Sequence, residues 1–241
     1  MRDASRTTSL ADLRPFPIIE DGMPLLYEDE EEGDMGDTTW HSDAMDIALY
    51  GVKAHLRDRK ELQVFANLNL YYSTRDRKAY VSPDLMVAEP DEVNENVPSY
   101  RIGEDGPAPL LVGEVLSERT AQQGDLREKP PTYGGLGIRE YVLIDVTGRF
   151  LPERLLLKRL RRNRTWNDEQ DADGGITSKL GFRFIIDTDD RLRVVNARTG
   201  GPYARPDEAQ ANADRVRALE EELARLRGTG PKKGKGRRRK S

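Results

Sequence analysis

Apolar residues along this chain recur with two different periods, and the switches between them predict its elements. Between Ser42 and Arg57, Met45, Ala48, Leu49, Val52 and Leu56 fall three and four apart. That is the spacing of an amphipathic helix, with Ser42 or Asp43 as its N-cap. Leu62, Val64, Ala66, Leu68, Leu70 and Tyr72 then alternate with more polar residues, predicting one half-buried strand over eleven positions. A polar turn at 73–78 leads to a second strand region, Ala79–Val81 and Leu85–Ala88, around Pro83-Asp84. An acidic loop with Pro and Gly occupies 89–109. Leu110–Leu116 reads as a third strand, Ser117–Glu128 as loop or helix, and Tyr133–Gly137 as a short helix closed by glycine. Glu140–Asp145 reads as a fourth strand.

The pattern weakens after Gly148 into a hairpin-like region. Phe182, Phe184 and Ile186 then alternate cleanly, and Asp189-Asp190 turn the chain into Leu192–Val195. The succession of helix, hairpin strands, helix and strand predicts an α/β fold: a mixed β-sheet core flanked by helices. A last helix spans 206–227. In it Ala209, Val216 and Leu223 share one heptad position, and Asn212, Leu219 and Leu226 share the other. This is a short coiled-coil seam with one polar member, Asn212, of the kind that sets register at a cost in stability. It predicts either a homodimer or a helix folded back on the core; both readings stay open.

Composition narrows the chemistry. The 241 residues contain no cysteine and two histidines, His41 and His55. Disulfides, thiolate catalysis and cysteine zinc sites are therefore excluded, and imidazole chemistry has little material. Each histidine reads as a structural residue, His55 flanking the core face of the first helix. Carboxylates, lysines and a hard cation remain. The longest apolar stretches are far short of the roughly 20 residues of a membrane span. Without an apolar leader at the N-terminus, a cytoplasmic protein is expected. Seven of the 39 basic side chains fall within 231–241, which leaves 32 basic against 43 acidic residues in the first 230. The expected organisation is an irregular lead-in over 1–24, a domain over 25–203, the helix 206–227 and a disordered basic tail over 228–241. Such a tail is either a solubilising end or a non-specific nucleic-acid arm.

Two carboxylates lie within apolar strands, where an unpaired charge is costly. Asp84 heads Leu-Met-Val-Ala, and Glu114 shares a strand face with Leu110, Val112 and Leu116. Gly113 beside it would permit close backbone approach. Either carboxylate alone also fits a strand-end residue paired with arginine.

The residues in order carry more than either does singly: Pro83-Asp84, Glu114-Val-Leu-Ser117, Thr120, Asp125, Lys129, Tyr133, Leu136–Tyr141 and Asp145. This series resembles the PD-(D/E)xK nuclease superfamily and, within it, the bacterial Uma-two family of "putative restriction endonucleases". Leu26–Glu30, Met35–Asp37 and His41 resemble the family's opening, Val64–Tyr72 and Val81–Asp84 its hairpin, and Ser178–Gly181 and Arg193–Gly200 its closing strands. The resemblance covers about residues 20–227. It implies a restriction-endonuclease-like core that hydrolyses DNA phosphodiester bonds with Mg²⁺ or Mn²⁺. Asp84, Glu114 and the carbonyl of Val115 would be the metal ligands, and Glu28 is a candidate further ligand or base. In the strict E-x-K pattern the lysine would stand at position 116, which is Leu116 here. The resemblance offers Lys129 instead, on the following helix, where its compact charge would face the phosphate or attacking water. On residue spacing alone, Lys129 is also an i,i+4 partner of Asp125. Pro130-Pro131 depart from the family's pattern and fit only a helix's first turn, placing Lys129 at or before a helix start. Tyr133 and Tyr141 read as packing residues. The rival reading is a nucleic-acid- or partner-binding module on the same fold, with weak catalysis or none.

Overall fold

The computed structural model describes residues 39–73, 76, 78–94, 96–118 and 120–228. The lead-in over 1–24, the acidic run 28–37 with Glu28, and the basic tail beyond Gly228 lie outside the described residues. The chain divides into two units, one ending at Tyr203 and the other beginning at Ala204.

The first unit opens with α1 (Thr39–Leu56). Five strands follow: β1 (Gln63–Phe65), β2 (Leu70–Tyr71), β3 (Tyr80–Val81), β4 (Leu85–Ala88) and β5 (Tyr100–Arg101). Next come β6 (Leu111–Val115), a π-helix (Ala121–Glu128), α2 (Lys129–Leu136) and β7 (Glu140–Ile144). The unit closes with β8 (Leu155–Leu160), β9 (Trp166–Glu169), β10 (Ile176–Thr177), β11 (Phe182–Ile186) and β12 (Leu192–Asn196). Six of these strands form the main sheet in the order β1-β4-β6-β7-β8-β9, mixed because β6 and β7 run parallel while their neighbours run antiparallel. Two three-stranded sheets, β10-β11-β12 and β3-β2-β5, accompany it.

Period-two alternation sorts the sheet's side chains onto two faces. Leu85, Val87, Leu111, Val115, Val142 and Ile144 pack against Ala44, Ile47, Ala48 and Val52 of α1 and against Phe182, Phe184 and Val194 of the β10-β11-β12 sheet. Met86, Val112, Leu116, Tyr141 and Leu143 face the other way, with Tyr133 of α2 among them. β6 and β7 are buried along their whole length, as a parallel pair covered on both sides must be.

The single eleven-residue strand expected over 62–72 is in fact two. Asn67 adopts φ 50°, a left-handed conformation that asparagine tolerates and that no strand can continue through. Its N–H donates to the Asp84 carbonyl at 3.3 Å, and the chain beyond it leaves β4 to pair with β3 and β5. The expected loop over 89–109 likewise contains β5, whose Tyr100 is buried beside β2.

The second unit is described by α3 (Pro206–Gly228). Glu208 accepts the Arg205 N–H at 3.0 Å, the reach-back of a capping box. Val216, Leu219 and Leu223 stand half exposed along it, at 54%, 51% and 51%. Among the described residues no helix is long and apolar enough to cross a membrane.

Gly51, in the middle of α1, lies where the helix meets β12. A Cβ there would stand 2.5 Å from Val194 Cγ2 and 2.6 Å from its Cβ. Gly51→Ala gains helix propensity of about 1 kcal/mol, yet it forces α1 away from β12 at an overpacking cost of about 1–3 kcal/mol. The expected result is a net loss of stability, read as a lower urea midpoint with unchanged slope.

Candidate active site

Asp84 immediately precedes β4, and the β4–β6 register (Leu85 opposite Gly113) sets it across from Glu114 one step further along. The Val115 N–H donates to Asp84 Oδ2 at 2.7 Å, locking the carboxylate to the end of β6. Gly113 is not needed for this approach, because a Cβ there would make only an ordinary 3.5 Å contact with Leu85.

Glu114 is 1% exposed. A carboxylate there needs compensation, and each oxygen has a partner. Tyr133 donates its hydroxyl to Oε1 at 2.7 Å, and Lys129 Nζ lies 2.8 Å from Oε2. Lys129 Nζ is also 2.8 Å from Asp125 Oδ1, and Asp125 is as buried as Glu114. One ammonium is therefore held between two buried carboxylates. Asp125, Lys129 and Tyr133 are four residues apart, so a single helical face delivers all three to β6.

Local sequence explains that delivery. From Ala121 to Glu128 the chain winds as a π-helix: Asp125 N–H reaches the Thr120 carbonyl at 3.0 Å, and Lys129 N–H bonds the Gly124 carbonyl. π-turns are rare and concentrate at functional sites. Pro130 and Pro131 have no N–H to continue this ladder, so α2 begins with them in its first turn. The Asp125 carbonyl, which Pro130 cannot serve, instead accepts the Tyr141 hydroxyl at 2.7 Å. Gly137, left-handed at φ 81°, ends α2. Lys129 opens α2 straight from the π-helix at φ −68° and ψ −40°, so the winding is continuous through it although two prolines follow, and its side chain spans to Glu114 from there.

Burial raises the Glu114 carboxyl to about 8 against the pull of Lys129, with the negative charges of Asp84 and Asp125 adding to the rise. Burial also raises Asp84, opposed by its hydrogen bond from Val115 and by His41 and Lys129. For Lys129, burial acts to lower the pKa, but Glu114 and Asp125 outweigh it and hold the ammonium protonated. Tyr133 and Tyr141 are both pushed far up by burial, so each keeps its donor hydrogen.

The two histidines part company. His55 donates from Nε2 to the Leu180 carbonyl at 3.1 Å and accepts the Tyr203 hydroxyl at Nδ1, 2.8 Å away, a structural role. His41, on the first turn of α1, brings Nε2 to 3.8 Å from Asp84 Oδ2. Its place beside the site was not legible from composition. Asp145 is a turn anchor: N–H groups of Thr147, Gly148, Phe150 and Leu151 all donate to it. Burial alone would raise its pKa; the Phe150 and Leu151 N–H groups hold it below the usual range.

The donors gathered here are oxygens of the hard type. Among the described residues no three His, Asp or Glu side chains are arranged to hold a metal ion by themselves. Two carboxylates nonetheless suit a cation such as Mg²⁺, which binds through one or two carboxylates and keeps water and substrate phosphate in the rest of its shell.

Comparison with known proteins shows the family. Residues 33–178, more than half of the chain, match the family described as "Uma2: Putative restriction endonuclease", and the chain belongs to that family. One solved structure that resembles it is described as "a putative nuclease belonging to DUF820 from Anabaena variabilis ATCC 29413". The two share 13% identity over 59% of this chain and 73% of that one, with a TM-score of 0.44. No curated protein matches the chain in sequence.

A carboxyl raised by burial binds a proton in the folded chain that the unfolded chain, near 4.5, has already lost. That stability is present at low pH and disappears as pH rises from about 4.5 to about 8. Glu114→Gln removes the titration and keeps an acceptor for Tyr133. Its melting temperature should therefore gain on the parent's between pH 5 and pH 8.5, which calorimetry at both pH values checks.

Proposed function

We propose that this Uma2 protein is a metal-dependent endonuclease that hydrolyses DNA phosphodiester bonds. The observation that carries the reading is the meeting of Asp84 and Glu114 across β4 and β6, with Lys129 brought to Glu114 from the next helix. Asp84, Glu114 and the Val115 carbonyl would hold Mg²⁺ or Mn²⁺; when bound, such an ion lowers the pKa of water and offsets charge on the phosphate. Val115 acts on Asp84 through its N–H, fixing one carboxylate oxygen. Tyr133 fixes one oxygen of Glu114. Lys129 has three donors, of which Glu114 and Asp125 engage two. The third is available to a phosphate oxygen, where a fixed positive charge favours the more negative transition state.

Asp84→Ala and Glu114→Ala should abolish Mg²⁺-dependent nicking of supercoiled plasmid while circular dichroism remains that of the parent. Lys129→Gln should slow cleavage about 100- to 1000-fold. Variants that cut as fast as the parent would refute the assignment.

A second reading, a binding module without catalysis, is favoured by one feature: Glu114 is already saturated by Tyr133 and Lys129. Equal duplex binding in EDTA and Mg²⁺ with no nicking would select it.

The heptad spacing of apolar residues on α3 supports a homodimer in either case. Val216→Glu/Leu219→Glu should halve the mass measured by light scattering; an unchanged mass would remove α3 from the assembly.

A further inference from the structure

The turn between β8 and β9 concentrates positive charge on the acidic first 230 residues. Arg161, Arg162 and Arg164 fall within four consecutive positions, all exposed, and no acidic residue lies between Leu160 and Asn167. Arg139, also exposed, stands just before β7, where its carbonyl accepts the Leu160 N–H at 2.9 Å. Elsewhere on this sheet basic residues are paired: Lys158 with Asp168, and Arg159 with Glu140 and Glu169. Among the described residues none of the four arginines makes an ion pair. Arg161 is steadied by the Asn167 side-chain carbonyl instead.

The turn is also built rigidly against the site's helix. Arg164 takes φ 61°, a left-handed position where glycine is the ordinary choice and a side chain costs about 1 kcal/mol. Its guanidinium donates to the Gly135 carbonyl at 2.6 Å, at the C-terminal end of α2, where a cation also suits the helix dipole. Two residues on, Trp166 Nε1 donates to the Pro130 carbonyl at 2.9 Å, next to Lys129. The hairpin therefore runs the length of α2.

We propose that the β8–β9 turn, through Arg161 and Arg162 with Arg139 nearby, is a phosphate-backbone contact for nucleic acid at the edge of the main sheet. This rests on the nuclease reading for its partner. The contact is electrostatic and independent of base sequence, as exposed guanidinium groups without base-reading partners imply.

The test is fluorescence anisotropy with a labelled 30-base-pair duplex in Mg²⁺ between 50 and 200 mM salt. Asp84→Ala serves as background so that nothing is cut. Adding Arg161→Ala/Arg162→Ala should weaken binding at least tenfold at 100 mM salt. It should also flatten the slope of log K against log salt by about 2, roughly one for each phosphate that the variant no longer neutralises. Arg161→Lys/Arg162→Lys should retain the slope, and Arg198→Ala, an exposed arginine far along the chain, should change neither quantity. Arg164 is left intact because it anchors α2, and the tail is present in every variant, so differences belong to the turn. Unchanged affinity and slope in the double alanine variant would overturn the proposal, even if the parent cuts DNA. Loss of binding in that variant, with a parent that never cuts, would uphold the contact and refute the nuclease reading instead. No affinity for duplex but saturable binding to poly-glutamate would assign the patch to an acidic protein and overturn the proposal.

Discussion

One ammonium between two buried carboxylates determines much of what surrounds it. Glu114 lies inside a fully buried strand, and a lone carboxylate there would cost several kcal/mol. Lys129 meets that cost only if its backbone is held within reach, and Asp125 keeps the ammonium charged from the opposite side. The π-turn before α2, the two prolines that end it and the Tyr141 hydroxyl on the carbonyl they leave open all serve this one placement. Tyr133 completes Glu114, and its ring packs on Tyr141 at 5.0 Å, so the network is walled by aromatic surface. Such a site is preorganised, and it becomes unfavourable if any single member is removed.

How far the site was legible in the sequence follows from what kind of signal each residue leaves. Asp84 and Glu114 stand out because they interrupt apolar runs, and strand alternation put Glu114 on the face where it is found. Lys129 came only through family resemblance, since position 116 of the usual pattern is leucine. Asp125 was visible as a helical neighbour of Lys129, but its burial was not, because charge at i,i+4 usually means a solvated face. Tyr133 reads as packing by composition, and it does pack; its hydroxyl's role depends on a strand 19 residues away. His41 was visible only as part of the family's opening and read as structural, because its nearness to Asp84 is set by how α1 lies on the sheet.

The fold was more legible than its breaks. α1, α3 and β11 announce themselves by period, β6 and β7 by aliphatic runs, and α2 by its closing glycine. The split between β1 and β2 does not, because alternation continues across Asn67 while its backbone turns left-handed. The π-helix has no periodic signature, being low in apolar residues and held by contacts beyond itself. β5 is two residues long and is specified by its partner β2 rather than by its own composition.

The site's contacts also differ from the rest of the core in the length of chain they enclose. Val115 meets Asp84 across 31 residues and Tyr133 meets Glu114 across 19, whereas Gly51 and Val194 meet from opposite ends of the first unit. Closing a loop costs about 0.6 kcal/mol more for each doubling of its length, so the stretch from Asp84 to Asp145 is entropically the cheaper half to order. A chain that opens locally would shed α1 from β12 first, carrying His41 away while Asp84, Glu114 and Lys129 stay together. Within the first unit, protection of backbone amides against exchange with solvent would then be graded: weaker in α1, strongest in β6 and β7, with the candidate site inside the last part of that unit to come apart.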